Sequence, residues 1–156
     1  MKSRQSNLHY FFLFLFTLIG FSSCSKDTNL DKIVPYTRVE FEYLDNENKL
    51  GAVGSSIYLD EDDIITSSAG YKNHGIIIVR LNEGFAAFDA TCTYDVEAAE
   101  HVELDGSFAE CPICESKFNI QQDGQPFNNS VARFNLKQYK TSSQSEGNHA
   151  TIRVRN

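Results

Sequence analysis

The sequence has no tryptophan, a single methionine (the initiator) and no stretch that sustains a helical repeat. Without a 3.6-residue apolar period there is no amphipathic helix to build a bundle from. Basic residues are scarce: 14 Lys and Arg stand against 21 Asp and Glu, a net charge of −7. Lys2 and Arg4 fall within the first 23 residues, which carry no acid, so the remainder is more acidic still. A surface of that sign repels phosphate backbones and excludes nucleic acid as a partner. There is no Gly-rich phosphate loop, no Ser/His/Asp set and no carboxylate pair that stands apart from surface acids. Catalysis therefore has no residue set to rest on. Cysteines number only four, and their spacing is the most informative feature of the chain.

The aromatic content is phenylalanine and tyrosine, 12 and 7 residues. These occur in short runs with β-branched residues, which favours strands. Residues 1–23 read as a signal peptide: a basic start, the apolar run from Tyr10 to Phe21, which is too short to cross a bilayer, and then Ser22-Ser23-Cys24. This end resembles the lipobox of bacterial lipoproteins. The resemblance implies cleavage before Cys24, acylation of Cys24 and anchoring to a lipid bilayer. The expected location is the bacterial cell envelope, favouring the outer membrane. Residues 24–32 are then the acylated cysteine and a polar tether, and residues 33–156 form one domain.

Within that domain, Val39, Phe41 and Tyr43 alternate with Arg38, Glu40 and Glu42 over Tyr36 to Leu44, the pattern of a half-buried strand. Asp45 to Asn48 is a turn, and Ile57 to Leu59 a short strand. The acidic run Asp60 to Asp63 reads as a solvated loop. Ile76 to Leu81 is continuously apolar apart from Arg80, as in a strand buried on both faces. Phe85 to Ala90 leads to Cys92. Lys117 to Ile120 reads as a strand and Asp123-Gly124 as a turn. Val131 to Tyr139 and Ala150 to Arg155 read as a closing hairpin with Ser142 to Asn148 as its loop. The class is all-β.

Cys92, Cys111 and Cys114 share one stretch. Eighteen residues separate Cys92 from Cys111, and Cys111-Pro112-Ile113-Cys114 is a knuckle. Asp105-Gly106 lies between them, flanked by short apolar-bearing runs, which predicts a hairpin that returns Cys92 to the knuckle. If Cys24 is acylated, three thiols remain, an awkward number outside the cytosol. A metal or cluster uses all three as thiolates. The alternative is a Cys111–Cys114 disulfide with Cys92 buried and free.

The pattern resembles the Rieske [2Fe–2S] family, whose ligands come as C-x-H and, after a similar interval, C-x-x-H. Here Cys92-Thr93-Tyr94 and Cys111-Pro112-Ile113-Cys114 occupy those places. Phe88-Asp89-Ala90 before the first motif and Ser116-Lys117-Phe118-Asn119 after the second are also similar, as are the Gly124 turn and Ser130-Val131-Ala132. The resemblance implies stacked antiparallel sheets with two cysteine-bearing ligand loops. It also implies a 2Fe–2S cluster and electron transfer to an unassigned redox partner, as a component of an oxidoreductase rather than an enzyme in its own right. In the family two Cys hold one iron and two His the other. Tyr94 stands here at the first His position and Cys114 at the second. A phenol ionises near pH 10 in its unperturbed state, whereas the adjacent Asp95 is already an anion. Asp95 is thus the expected fourth ligand or its close support, and Tyr94 is expected to pack over the site. His101, in the loop between the motifs, is a minor candidate. Thiolate and carboxylate in place of neutral imidazole would lower the potential. A degenerate site holding zinc, with a structural or interaction role, is the alternative.

Overall fold

The structure, a computed structural model, describes residues 32–147 and 149–156. The expected signal peptide, the expected acylation site Cys24 and nearly all of the expected tether lie outside the described residues. The expected all-β class is what is found. Among the described residues, ten strands form two antiparallel sheets, and a short 3-10 turn spans Tyr71–Asn73.

The larger sheet contains β1 (Glu40–Asp45), β2 (Ser56–Leu59), β3 (Ile76–Arg80), β4 (Phe85–Asp89), β9 (Gln138–Glu146) and β10 (His149–Arg155). Its order is β1-β10-β9-β4-β3-β2. The smaller sheet is a meander of β5 (Glu103–Asp105), β6 (Phe108–Glu110), β7 (Lys117–Asn119) and β8 (Gln125–Pro126).

β3 organises both layers. Ile76, Ile77, Ile78 and Val79 are fully buried, as the unbroken apolar run predicts. Successive side chains point to opposite faces, so the run feeds two cores. Ile76 and Ile78 pack with Val39, Phe41, Ile152 and Val154 on one side. Ile77 and Val79 pack with Phe88, Ala109, Phe118 and Leu136 on the other. The larger sheet can supply the first layer because β9 is shared. Its residues Gln138 and Tyr139 pair with β4, and the rest pairs with β10. The small sheet covers the opposite face of β3–β4. Each buried Ile contributes about 1.5–3 kcal/mol relative to exposure, so this double-sided strand is a large part of what holds the layers together.

The Asp105-Gly106 signal marks a real hairpin. Asp105 pairs with Phe108, leaving Gly106 and Ser107 as the loop, with Gly106 at φ 62°. The turn after β1 is closed by the buried Asp45 carboxylate, which accepts the Lys49 and Leu50 N–H groups at 2.8 Å each.

The closing hairpin differs from expectation. Residues 131–137 are irregular, β9 starts at Gln138, and Ser142 to Glu146 continue the strand instead of forming a loop. Ser142 pairs with Arg153 and Ser145 with Ala150. A polar run reads as a loop when judged alone. As an exposed strand paired to β10, it satisfies its backbone hydrogen bonds and has no need of apolar side chains.

Candidate metal centre

Two loops carry the cysteines, one from each sheet. The first leaves β4 at Asp89, whose side chain is fully buried. Its carboxylate accepts four hydrogen bonds: from Thr91 N at 3.0 Å, Thr91 Oγ1 at 2.6 Å, Tyr71 N at 2.8 Å and Tyr139 Oη at 2.6 Å. A buried carboxylate demands such saturation. The consequence is that the backbone entering Cys92 is fixed from three directions. Gly70 makes room for this group. It sits at φ 79°, and a Cβ there would fall 2.8 Å from Gly75 O and 3.1 Å from both Asp89 carboxylate oxygens. His74, also buried, places Nδ1 3.1 Å from Thr91 Oγ1. Burial holds its imidazole below the ordinary pKa, against the opposing pull of the Asp89 charge.

Past Cys92 the chain turns. The backbone N–H groups of Asp95 and Tyr94 hydrogen-bond to the Cys92 sulfur, and Thr93 Oγ1 donates to Phe134 O at 2.7 Å. The second loop, residues 111–116, is the tip of the β6–β7 hairpin, entered from the Glu110–Lys117 pair. Cys111 N donates to Ser116 O and Glu115 N to Cys111 O, both at 2.9 Å. Closing the knuckle so tightly puts Glu115 in the left-handed region, φ 57°. Ser116 is fully buried and ties a third segment in, its Oγ accepting Ala132 N–H at 3.0 Å.

These ties bring the three expected sulfurs together. Those of Cys92, Cys111 and Cys114 all lie within 4.8 Å of one another, and Cys92 touches Cys114 at 3.6 Å. All three are free thiols, so the alternative Cys111–Cys114 disulfide is not formed. Cys92 and Cys111 are buried at the edge of the second core, and Cys114 is partly exposed. Their acidities diverge. Burial pushes the Cys92 thiol up to about 12, against the weaker pull of the Asp95 and Tyr94 N–H groups. Burial also acts to raise Cys114, but the Ser116 hydroxyl and N–H, with the neighbouring thiols, outweigh it and leave that thiol below its ordinary value.

The donor chemistry fits a soft thiolate-bound metal. Bonds of about 2.3 Å to one tetrahedral ion set its thiolate ligands about 3.8 Å apart, close to the spacing seen. A two-iron cluster takes two protein donors per iron, so three thiolates leave one position for another ligand. Asp95 is exposed, and its Oδ1 accepts the Glu97 N–H at 3.2 Å. Its carboxylate does not lie in the compact sulfur group. Tyr94 is 60 % exposed. Both residues reach the Cys92 sulfur through backbone rather than side chain. His101 stacks on Tyr58, ring centroids 4.6 Å apart, and is likewise outside the sulfur group. In the acidic loop the Asp60 carboxylate accepts the Asp62 and Asp63 N–H groups, and the Glu61 carboxylate accepts from Asn73 Nδ2 at 2.9 Å. Sequence reasoning missed the Asp89–Thr91–His74–Tyr139 network. The one available signal was a charged residue in the otherwise apolar strand Phe85–Asp89.

No protein-family profile and no curated protein sequence matches the chain. Among solved structures it is similar to a chain from a complex of reduced oxygenase and oxidized ferredoxin in carbazole 1,9a-dioxygenase, at 18 % identity and TM-score 0.40, over 66 % of this chain and 82 % of that one. It is also similar to the ferredoxin of carbazole 1,9a-dioxygenase from Nocardioides aromaticivorans IC177, at 15 % identity and TM-score 0.39, over 75 % of this chain and 97 % of that one. Likeness this loose carries no function across, and the site stands on its own geometry.

Proposed function

We propose that the chain is a Rieske-like iron–sulfur protein that transfers electrons at a cell-envelope membrane, anchored through acylated Cys24. Cys92, Cys111 and Cys114 hold the centre, with Asp95 as the fourth ligand or its immediate support. The observation that carries the metal centre is the convergence of three sulfurs to within 4.8 Å from two loops of different sheets. Cys114 reinforces it: its Sγ lies 3.2 Å from Ser116 Oγ and its thiol is held below its ordinary value, which favours the thiolate a metal needs, whereas burial works against the Cys92 thiolate until a metal replaces the proton. The cysteine spacing, and the Ser116 to Asn119 stretch after it, supply the Rieske character. A bound cluster would accept and release one electron, and this chain's residues would set its potential through ligand charge and hydrogen bonding to sulfur.

A second reading is a single zinc ion with a structural role, favoured by the compactness of the sulfur group. A tetrahedral zinc site closed by one further donor would staple the two loops. Iron, zinc and acid-labile sulfide analysis of anaerobically purified protein separates the two. About two iron and two sulfide per chain, with a brown colour, supports the cluster. Stoichiometric zinc in a colourless protein replaces it with the second reading. A metal-free protein that binds neither on reconstitution would sink both.

A further inference from the structure

The three thiols are not equivalent, and the difference assigns them separate fates when no metal is bound. Cys114 is the one with surface exposure; Cys92 is 1 % exposed and Cys111 0 %. The Cys114 sulfur touches that of Cys92 at 3.6 Å, and Cys111 lies within the 4.8 Å that spans the whole group. The knuckle partner Cys111 is held differently, with both its N–H and its C=O engaged inside the loop at 2.9 Å. The two loops are also fixed to a common third segment, through Thr93 to Phe134 and through Ser116 to Ala132. The approach of Cys92 to Cys114 is thus a property of the packed loops rather than of one side-chain rotamer.

We propose that the metal-free centre closes a disulfide between Cys92 and Cys114, leaving Cys111 as the buried free thiol. The site then alternates between a metal-loaded and a disulfide-closed form. The oxidant is a small external disulfide such as oxidised glutathione. The exposed Cys114 gives up its proton and attacks one of its sulfurs as the thiolate, the glutathione S–S bond breaks, and one glutathione leaves and takes that proton to become the thiol. Cys92 then gives up its proton and attacks Cys114 Sγ. The second glutathione leaves and takes that proton. Two protein thiols lose two electrons in total, and one glutathione disulfide becomes two thiols. The sulfurs must close from 3.6 Å to about 2.05 Å, a movement within reach of side-chain rotation. Metal would block the reaction by occupying both thiolates. The metal-loaded half of the alternation rests on the metal-centre reading, whereas the disulfide half does not.

The test begins by measuring metal in the purified chain, then splits the sample into loaded and chelator-treated portions. Both receive oxidised glutathione, followed by denaturation and alkylation of the remaining thiols. Cleavage after glutamate separates Cys92 from the Cys111–Cys114 peptide. Mass spectrometry of unreduced digests should show Cys92 linked to that peptide in the metal-free portion, with the alkyl label on Cys111. The loaded portion should stay largely unlinked. Cys111→Ser should still close, and Cys92→Ser should stop at a glutathione adduct on Cys114. A Cys111–Cys114 or Cys92–Cys111 linkage, three free thiols, or an unresolved adduct in the wild-type chain would overturn the disulfide assignment. Equal closure with and without metal would overturn the alternation. If the chain proves unable to bind metal, the metal-centre reading fails, and the linkage pattern still decides the disulfide on its own.

Discussion

The Tyr139 hydroxyl donates to the Asp89 carboxylate at 2.6 Å, between side chains that are 4 % and 0 % exposed. Tyr139 lies on β9 and Asp89 at the end of β4, and these strands are paired. The bond therefore links the strand that joins the two halves of the large sheet to the segment that delivers Cys92. Hydrogen bonds to charged groups contribute about 1.5–3 kcal/mol. Tyr139→Phe is expected to lower unfolding free energy by about that amount, measured by urea denaturation. Asp89→Asn should cost more, because whichever carboxylate oxygen it replaced, the amide nitrogen would face a backbone N–H, of Tyr71 or of Thr91. An unchanged urea midpoint in both variants would show that the network has no energetic role.

The fourth ligand is addressed by a pair of substitutions. Asp95→Ala is expected to lower metal occupancy several-fold, with losses of about 10–100-fold in affinity when a supporting group is removed. Tyr94→Phe keeps the backbone N–H that reaches the Cys92 sulfur and should leave occupancy nearly unchanged. Metal content after dialysis against a competing chelator reads both. The reverse pattern makes Tyr94 the ligand. If neither variant changes occupancy, His101 or an outside donor takes that place.

The metal-free domain should lose stability in alkali. Folding raises the Cys92 thiol from 9.0 to about 12, so the folded chain keeps a proton that the unfolded chain releases. The resulting stability is complete below pH 9 and is lost as pH climbs from there toward 12. Chemical denaturation of the metal-free protein at neutral pH and above pH 9 should show this fall, and it should be weaker in Cys92→Ser. Metal binding has the opposite dependence, since bound thiolates must shed protons and affinity rises with pH.

Membrane association is expected to depend on Cys24. Cys24→Ala should release the chain from the membrane fraction or leave its signal peptide uncleaved, as read by fractionation and mass spectrometry of the mature terminus. Processed, membrane-bound Cys24→Ala protein would rule out the acyl anchor.

Much of this molecule was legible in local pattern. The alternation at Val39, Phe41 and Tyr43, the unbroken Ile76 to Val79 run and the Asp105-Gly106 turn each carry their structure within a few residues. Strand period and turn chemistry are short-range properties. The knuckle Cys111-Pro112-Ile113-Cys114 and its distance from Cys92 were enough to predict one shared site. The sequence did not reveal how the thiols differ. That Cys92 touches Cys114, that only Cys114 meets solvent, and that Tyr94 and Asp95 serve the sulfur through their N–H groups all depend on how the β4 loop and the β6–β7 hairpin are packed over the second core. The same holds for Asp89, whose donors come from residues 71, 91 and 139, and for Ser142 to Glu146, whose polar side chains conceal a strand. For Cys92 against Cys114 and for Asp89 against Tyr71 and Tyr139 the deciding partner is remote in sequence, whereas Ser142 to Glu146 become a strand only through their pairing with the adjoining β10. Tertiary packing sets such distances, and a local pattern carries no information about them.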